Sequence, residues 1–148
     1  MPLHDLPLVN ASVPRSASLA EAAATLFDAQ VPALAVLDDE GRVLGVFSEA
    51  DLLKAVFPGY LADLRHTAFL RDDEPSLDLL AQRARDNPVD QLARPVEPLD
   101  LGDSQIHAAE RFMHTGEEAL PVTDGGRFAG MLSIAALCHA RLVRAEEP

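Results

Sequence analysis

Apolar residues come along this chain in short runs, and the runs change period in a fixed order. Ala33 to Leu37 and Val43 to Phe47 are nearly continuous apolar stretches, short enough to read as strands. The polar Asp38-Asp39-Glu40-Gly41 between them ends in glycine and predicts a hairpin turn. Upstream the period is helical. Ser18-Leu19-Ala20-Glu21 is a capping-box pattern, and the alanine-rich helix it opens runs to about Gln30. Leu19, Ala22, Leu26 and Phe27 give that helix an apolar face, with Glu21, Thr25 and Asp28 largely elsewhere. Val13-Pro14-Arg15 is extended, because proline biases the residue before it away from helix. Residues 1–12 form a lead-in in which Leu8 and Val9 can pack while Pro2 and Pro7 prevent regular structure. Downstream, Leu52, Leu53, Val56 and Phe57 predict a second helix that stops before Pro58.

The same succession returns. Ala119-Leu120-Pro121-Val122-Thr123-Asp124 matches 33–38, and Gly130-Met131-Leu132-Ser133 matches Gly45-Val46-Phe47-Ser48. The offset is 86 residues before the turn (Asp38 to Asp124) and 85 after it (Gly45 to Gly130), so the second turn is one residue shorter. Around this hairpin the second copy has a helical turn at 89–93, an extended piece at 96–99, and a helix from Gln105 to His114 capped by Ser104. Asp124-Gly125-Gly126 forms its hairpin turn, Ile134 to Val143 its last helix, and Glu146-Glu147-Pro148 a frayed tail. Between the copies, Tyr60 to Arg65 reads as a short helix and Arg71 to Glu74 as a charged break. Pro75 then opens a helix to about Asp86, with Leu77, Leu80 and Ala84 on one face. This segment looks ordered and is expected to pack on the module or on a partner. Each copy buries its strands on one side only, so two copies must stack. The expected fold is α/β (α+β): two repeats of extended piece, helix, strand, strand and helix about a pseudo-twofold axis. Repeat one spans 8–57, a helical connecting segment 58–88, and repeat two 89–143.

Charge narrows the function. The 148 residues carry a formal charge of −12, and Lys54 is the only lysine. Such a surface repels polyanions, so a nucleic-acid polymer is not an expected partner. Cys138 is the only cysteine, which excludes an internal disulfide framework and a thiolate metal cluster; it is expected to be a buried small residue. The N-terminus has no basic and apolar leader pattern, and no apolar run is long enough to span a membrane. These features predict a cytoplasmic protein without a membrane partner.

The candidate chemistry lies at the strand-to-helix corner Gly45-Val46-Phe47-Ser48-Glu49-Ala50-Asp51. It sets a hydroxyl and a carboxylate beside the outward N–H groups of a helix start, where a polar ligand can be held. Ser48 and Asp51 also form a capping box, which stabilises the helix by about 0.5–2 kcal/mol with no ligand at all. The second corner keeps Ser133 but has Ala136 in place of the acid, leaving only a cap. His107, Glu110 and His114 lie along one helix, but without the i, i+4 histidine pairing usual for a metal on a helix, so no metal is expected. Neither serine sits in a Gly-x-Ser-x-Gly elbow, and no catalytic residues are assigned.

Ala-Leu-Pro-Val-Thr-Asp at 119–124, its counterpart at 33–38 and the two glycine-apolar-apolar-serine corners resemble a tandem pair of CBS domains, a Bateman module. The resemblance covers about 8–57 and 88–143. It implies a regulatory module, not an enzyme, that binds adenosine-type ligands and requires no cofactor. By resemblance, Asp51 takes the ribose hydroxyls and Ser48 lies near the ribose or phosphate. Glu118, Ala119, Leu120 and Val96 surround the base, and Arg94 contacts phosphate. Ala136 makes the site at Ser133 degenerate, and Ala35 replaces the usual proline of the first Pro-Val strand. Glu117 and Glu118 beside the phosphate path disfavour a polyphosphate, so AMP, adenosine or S-adenosylmethionine is expected over ATP. A homodimer and a separate regulated protein are the expected partners. The alternative is a ligand-free oligomerisation module in which Ser48 and Asp51 only cap a helix.

Overall fold

A computed structural model describes residues 2–63 and 75–145. Its elements follow the repeat: β1 (Ser12–Pro14), α1 (Leu19–Ala29), β2 (Ala33–Leu37), β3 (Val43–Ser48) and α2 (Glu49–Val56), then β4 (Leu99–Asp100), α4 (Gln105–Thr115), β5 (Ala119–Asp124), β6 (Arg127–Ser133) and α5 (Ile134–Ala145). Between the two sets stands α3 (Pro75–Ala84). Each repeat makes a three-stranded sheet, β1-β2-β3 or β4-β5-β6, with a parallel first pair and an antiparallel hairpin. β4 is only two residues long because Pro95 and Pro98, just before it, have no N–H to give to a ladder.

The hairpins match in detail. Ala33 pairs with Ser48 and Ala119 with Ser133, and both ladders slip by one residue at the same place, leaving Leu44 and Ala129 as equivalent bulges. The missing residue is in the turn. Asp38 Oδ1 gathers the N–H groups of Glu40 and Arg42 at 2.8 and 2.9 Å around the first turn. The second is the two-residue Gly125-Gly126, both at positive φ (60° and 84°), which suits the twist of a hairpin.

The two halves are interlocked through their lead-in segments. Val9 exchanges both backbone hydrogen bonds with Met131 of β6, and Arg94 exchanges both with Val46 of β3. A 3-10 turn at Leu3–Asp5 buries Leu3 in the core of repeat two, and the equivalent turn at Val89–Gln91 buries Val89 in the core of repeat one. Each lead-in therefore packs on the other repeat before its β strand joins its own sheet. The first core draws in Ala119 and Met131 from the second repeat as well. The lead-in was expected to lack regular structure because of Pro2 and Pro7; instead it forms this turn, and Pro2 makes a bridge with Ser104.

α3 packs beside α2, and the chain after it returns to the first repeat, where Arg85 and Asn87 carbonyls accept from the Ala20 and Leu19 N–H groups at 3.0 and 2.8 Å. Those two donors belong to the unpaired first turn of α1. Of the short helix expected over Tyr60 to Arg65, the described part is a 3-10 turn at Gly59–Asp63, and residues 64–65 lie outside the described residues. The charged break at 71–74 and the tail at 146–148 lie outside the described residues.

Two side chains differ from expectation. Phe27, placed on the apolar face of α1, is 75% exposed. The face buried by Leu19, Ala22 and Leu26 does not extend to it, and Phe27 instead lines a groove with Leu53, Val56 and Phe57 of the α2 segment. Cys138 is exposed rather than buried. It follows Leu137, which is the inward residue of α5, and so turns away from the core.

Candidate functional site

The corner at the end of β3 is built by a complete capping box. Ser48 has an extended backbone and begins α2, its Oγ accepting from the Asp51 N–H at 3.2 Å. Asp51 Oδ2 in return accepts from the Ser48 N–H and hydroxyl, each at 2.9 Å. The Glu49 N–H, another free donor of the helix start, reaches the Pro32 carbonyl at 2.8 Å.

Arg94 comes to this corner from the other repeat. The backbone bridge to Val46 sets its position, and Gly45 permits it. A Cβ on Gly45 would stand 2.5 Å from the Arg94 carbonyl oxygen. The Arg94 side chain then joins two carboxylates. Nε lies 3.1 and 3.0 Å from Asp51 Oδ1 and Oδ2. Nη2 donates to Glu117 Oε2 at 2.9 Å, and Nη1 to Glu117 Oε1. The Glu117 side chain is 8% exposed, that of Asp51 15% and that of Arg94 40%. Burial pushes the Asp51 carboxyl upward, but the Ser48 N–H, the Arg94 guanidinium and the Ser48 hydroxyl outweigh it, and it lies below its ordinary value. The Glu117 carboxylate, opposed by burial and helped by Asp51, raises Arg94 further above its ordinary range. Asp51 and Arg94 are therefore charged at neutral pH.

These residues border a cleft of about 650 Å³. Glu49, Asp51, Glu117 and Glu118 line it against only Lys54 and Arg94, an acidic surround. Of the residues expected at the site, the structure brings Ser48, Asp51, Arg94 and Glu118 together here. Ala119 and Leu120 are fully buried, one in each core, and Val96 is half-buried against both cores; none of the three lines this cleft. Glu117 is the residue whose position sequence reasoning did not foresee, since it clamps the arginine rather than merely lying near a phosphate path.

Among the described residues the second corner has no such clamp. Ser133 caps α5 by accepting the Ala136 N–H at 3.0 Å. The repeat places Ala136, Val9 and Val31 where the first corner has Asp51, Arg94 and Glu117. Three charged groups are thus matched by three apolar ones. On α4, His107 lies 3.7 Å from Asp103 and His114 3.8 Å from Glu110, each histidine beside its own acid. Among the described residues no three histidine, cysteine or acidic side chains are placed to share a metal.

Two interlocked α+β repeats, with one charged and one apolar inter-repeat corner, define a tandem-repeat module. The chain belongs to the CBS domain family, whose pattern it matches twice, over residues 4–58 and 89–143. Solved structures agree on the fold. The CBS-pair protein CBSX2 from Arabidopsis thaliana has a TM-score of 0.76 at 22% identity, covering 99% of this chain and 98% of that one. A CBS domain protein from Pyrobaculum aerophilum, solved as a complex with AMP, gives 0.73 at 24% identity over 99% and 97%. The CBS domain of a membrane protein from Sphaerobacter thermophilus gives 0.73 at 21% over 94% and 86%. No curated protein sequence matches the chain.

Proposed function

We propose that this protein is a regulatory CBS pair, not an enzyme, that binds one adenosine-type ligand at the first corner and signals through a separate protein chain. The observation that carries the reading is Asp51. It is a carboxylate held ionised at the mouth of a cleft large enough for a nucleoside, on a corner whose counterpart has lost the acid. Two of the fold's relatives were solved with AMP, which supports an adenine ligand. The acidic surround favours AMP, adenosine or S-adenosylmethionine over ATP, because added phosphates would face Glu49 and Glu118. We assign the protein to the cytoplasm; no helix among the described residues is long and apolar enough to cross a membrane. Thermal unfolding with each compound tests the reading. A ligand at a hundred times its dissociation constant adds about 2.7 kcal/mol, and Asp51→Ala, folded but without the acceptor, should show no such gain. An equal gain in Asp51→Ala would defeat it.

A second reading, assembly, is favoured by apolar side chains left in solvent. Phe27 and Leu53 are 75% and 61% exposed on the α1–α2 side, Met113 and Leu142 83% and 68% on the α4–α5 side. A monomeric surface seldom carries such patches without a partner. We propose that these faces join two copies into a homodimer, a state compatible with ligand binding at the corner. Light scattering at micromolar protein should give twice the 15.9 kDa chain mass. The mass of a single chain would remove this proposal.

A further inference from the structure

Resting on the reading of Asp51 as the ribose acceptor, we infer that Arg94 is a resident counter-ion that a ligand must displace, and that this exchange sets which ligands the cleft accepts. A diol that engages both carboxylate oxygens of Asp51 meets Arg94 Nε on each of them. Oδ2 already takes the Ser48 N–H, the Ser48 hydroxyl and Arg94 Nε, and Oδ1 takes Nε as well. The two Ser48 bonds belong to the helix cap and lie within the corner itself. Arg94 Nε is the one donor to Asp51 that arrives from the other repeat, among the described residues, and it is the bond a ligand can replace. A ribose diol entering there substitutes two neutral O–H donors for one charge-assisted N–H.

Glu117 decides where the arginine goes. Its buried carboxylate takes both Nη1 and Nη2 in a fork, whereas Asp51 shares the single Nε. Displacement from Asp51 therefore swings Nε away while the fork holds, and the guanidinium stays at the rim of the cleft. There it can meet one anionic group. One freed cation matches one phosphate, and further phosphates meet only Lys54 among four carboxylates. The exchange thus works against a neutral nucleoside, which must break the Arg94–Asp51 contact and offers the arginine nothing. It works far less against a nucleoside monophosphate. The second corner, with Val9 and Val31 at the matching places, has nothing to exchange.

Calorimetric titration of adenosine and of AMP into three proteins tests this: wild type, the Arg94→Gln/Glu117→Gln double variant, and Arg94→Lys. The double variant removes the competitor and the buried charge together. Lysine keeps a cation for Glu117 but cannot fork one carboxylate while bridging to another. Adenosine should bind both variants about tenfold more tightly than wild type, the factor that one charge-assisted hydrogen bond carries. AMP should gain nothing in the double variant, so its preference over adenosine shrinks there. If both variants melt cooperatively and bind adenosine no better than wild type, Arg94 is not a competitor and the inference falls while the nucleoside reading stands. If neither ligand binds any of the three proteins, both fall. Should the double variant not fold, Arg94→Lys alone decides between these outcomes.

Discussion

Gly45→Ala should lower the unfolding free energy by about 3 kcal/mol, at the upper end of what overpacking usually costs. The new methyl carbon would stand 2.5 Å from the Arg94 carbonyl oxygen and 3.0 Å from its carbonyl carbon. Both are backbone atoms, so no rotamer change relieves the contact. The strand must instead move away from the lead-in of repeat two, and the paired hydrogen bonds between Val46 and Arg94, both 2.9 Å, are lost or stretched. In a chain of this size each kcal/mol shifts the midpoint by roughly 2–4 °C, so a fall of roughly 6–12 °C is expected in thermal unfolding. A change within 2 °C would mean that the two repeats are not held together at this point.

Arg94→Ala should be nearly as damaging, for an electrostatic reason. It leaves the Glu117 carboxylate, 8% exposed, with no ion-pair partner among the described residues. Removing one partner of a fully buried pair costs about 3–5 kcal/mol; the 40% exposure of Arg94 moves the expectation to about 3 kcal/mol or slightly less. Asp51 contributes little to the loss because its Ser48 bonds remain. The mechanism has a clear signature. Adding Glu117→Gln to Arg94→Ala should recover most of the stability, since an amide needs no counter-charge. Adding Asp51→Asn should not. A double-mutant cycle by urea unfolding measures both couplings, and equal rescue by the two amides would show that Glu117 is not the buried charge that matters.

The hairpins and the corners were legible because they depend on local chemistry. Apolar runs of strand length, Asp38 and the Gly125-Gly126 pair as turn formers, and Ser48 with Asp51 as a capping box all act within a few residues. The second copy then doubled the signal. What was not legible depends on contacts between distant segments. Val9 and Leu3 read as a loose lead-in because nothing near them in sequence shows that their partners are Met131 and the second core. Phe27 and Cys138 read as inward from helix pattern alone, but each stands beside the inward residue of its helix, Leu26 or Leu137, and is itself exposed. At the site, Asp51 and Ser48 were found from the motif, and the Arg94–Glu117 fork was missed. A signal for it did exist in the repeat. Asp51, Arg94 and Glu117 differ from Ala136, Val9 and Val31 together, charged in one corner and apolar in the other. In the first corner the three positions that change character together are the three that touch.

The crossing of the two lead-ins separates the unit that was copied from the unit that folds. In sequence the natural cut falls near residue 88, between one repeat and the next. In space such a cut strands Val9 without Met131 and leaves Val46 without Arg94, opening an unpaired strand edge in both halves at once. Each sheet is whole within its half, but neither half carries the segment that pairs with the outer edge of that sheet. The duplicated motif is therefore a half-built object twice over, and only the whole chain is a domain.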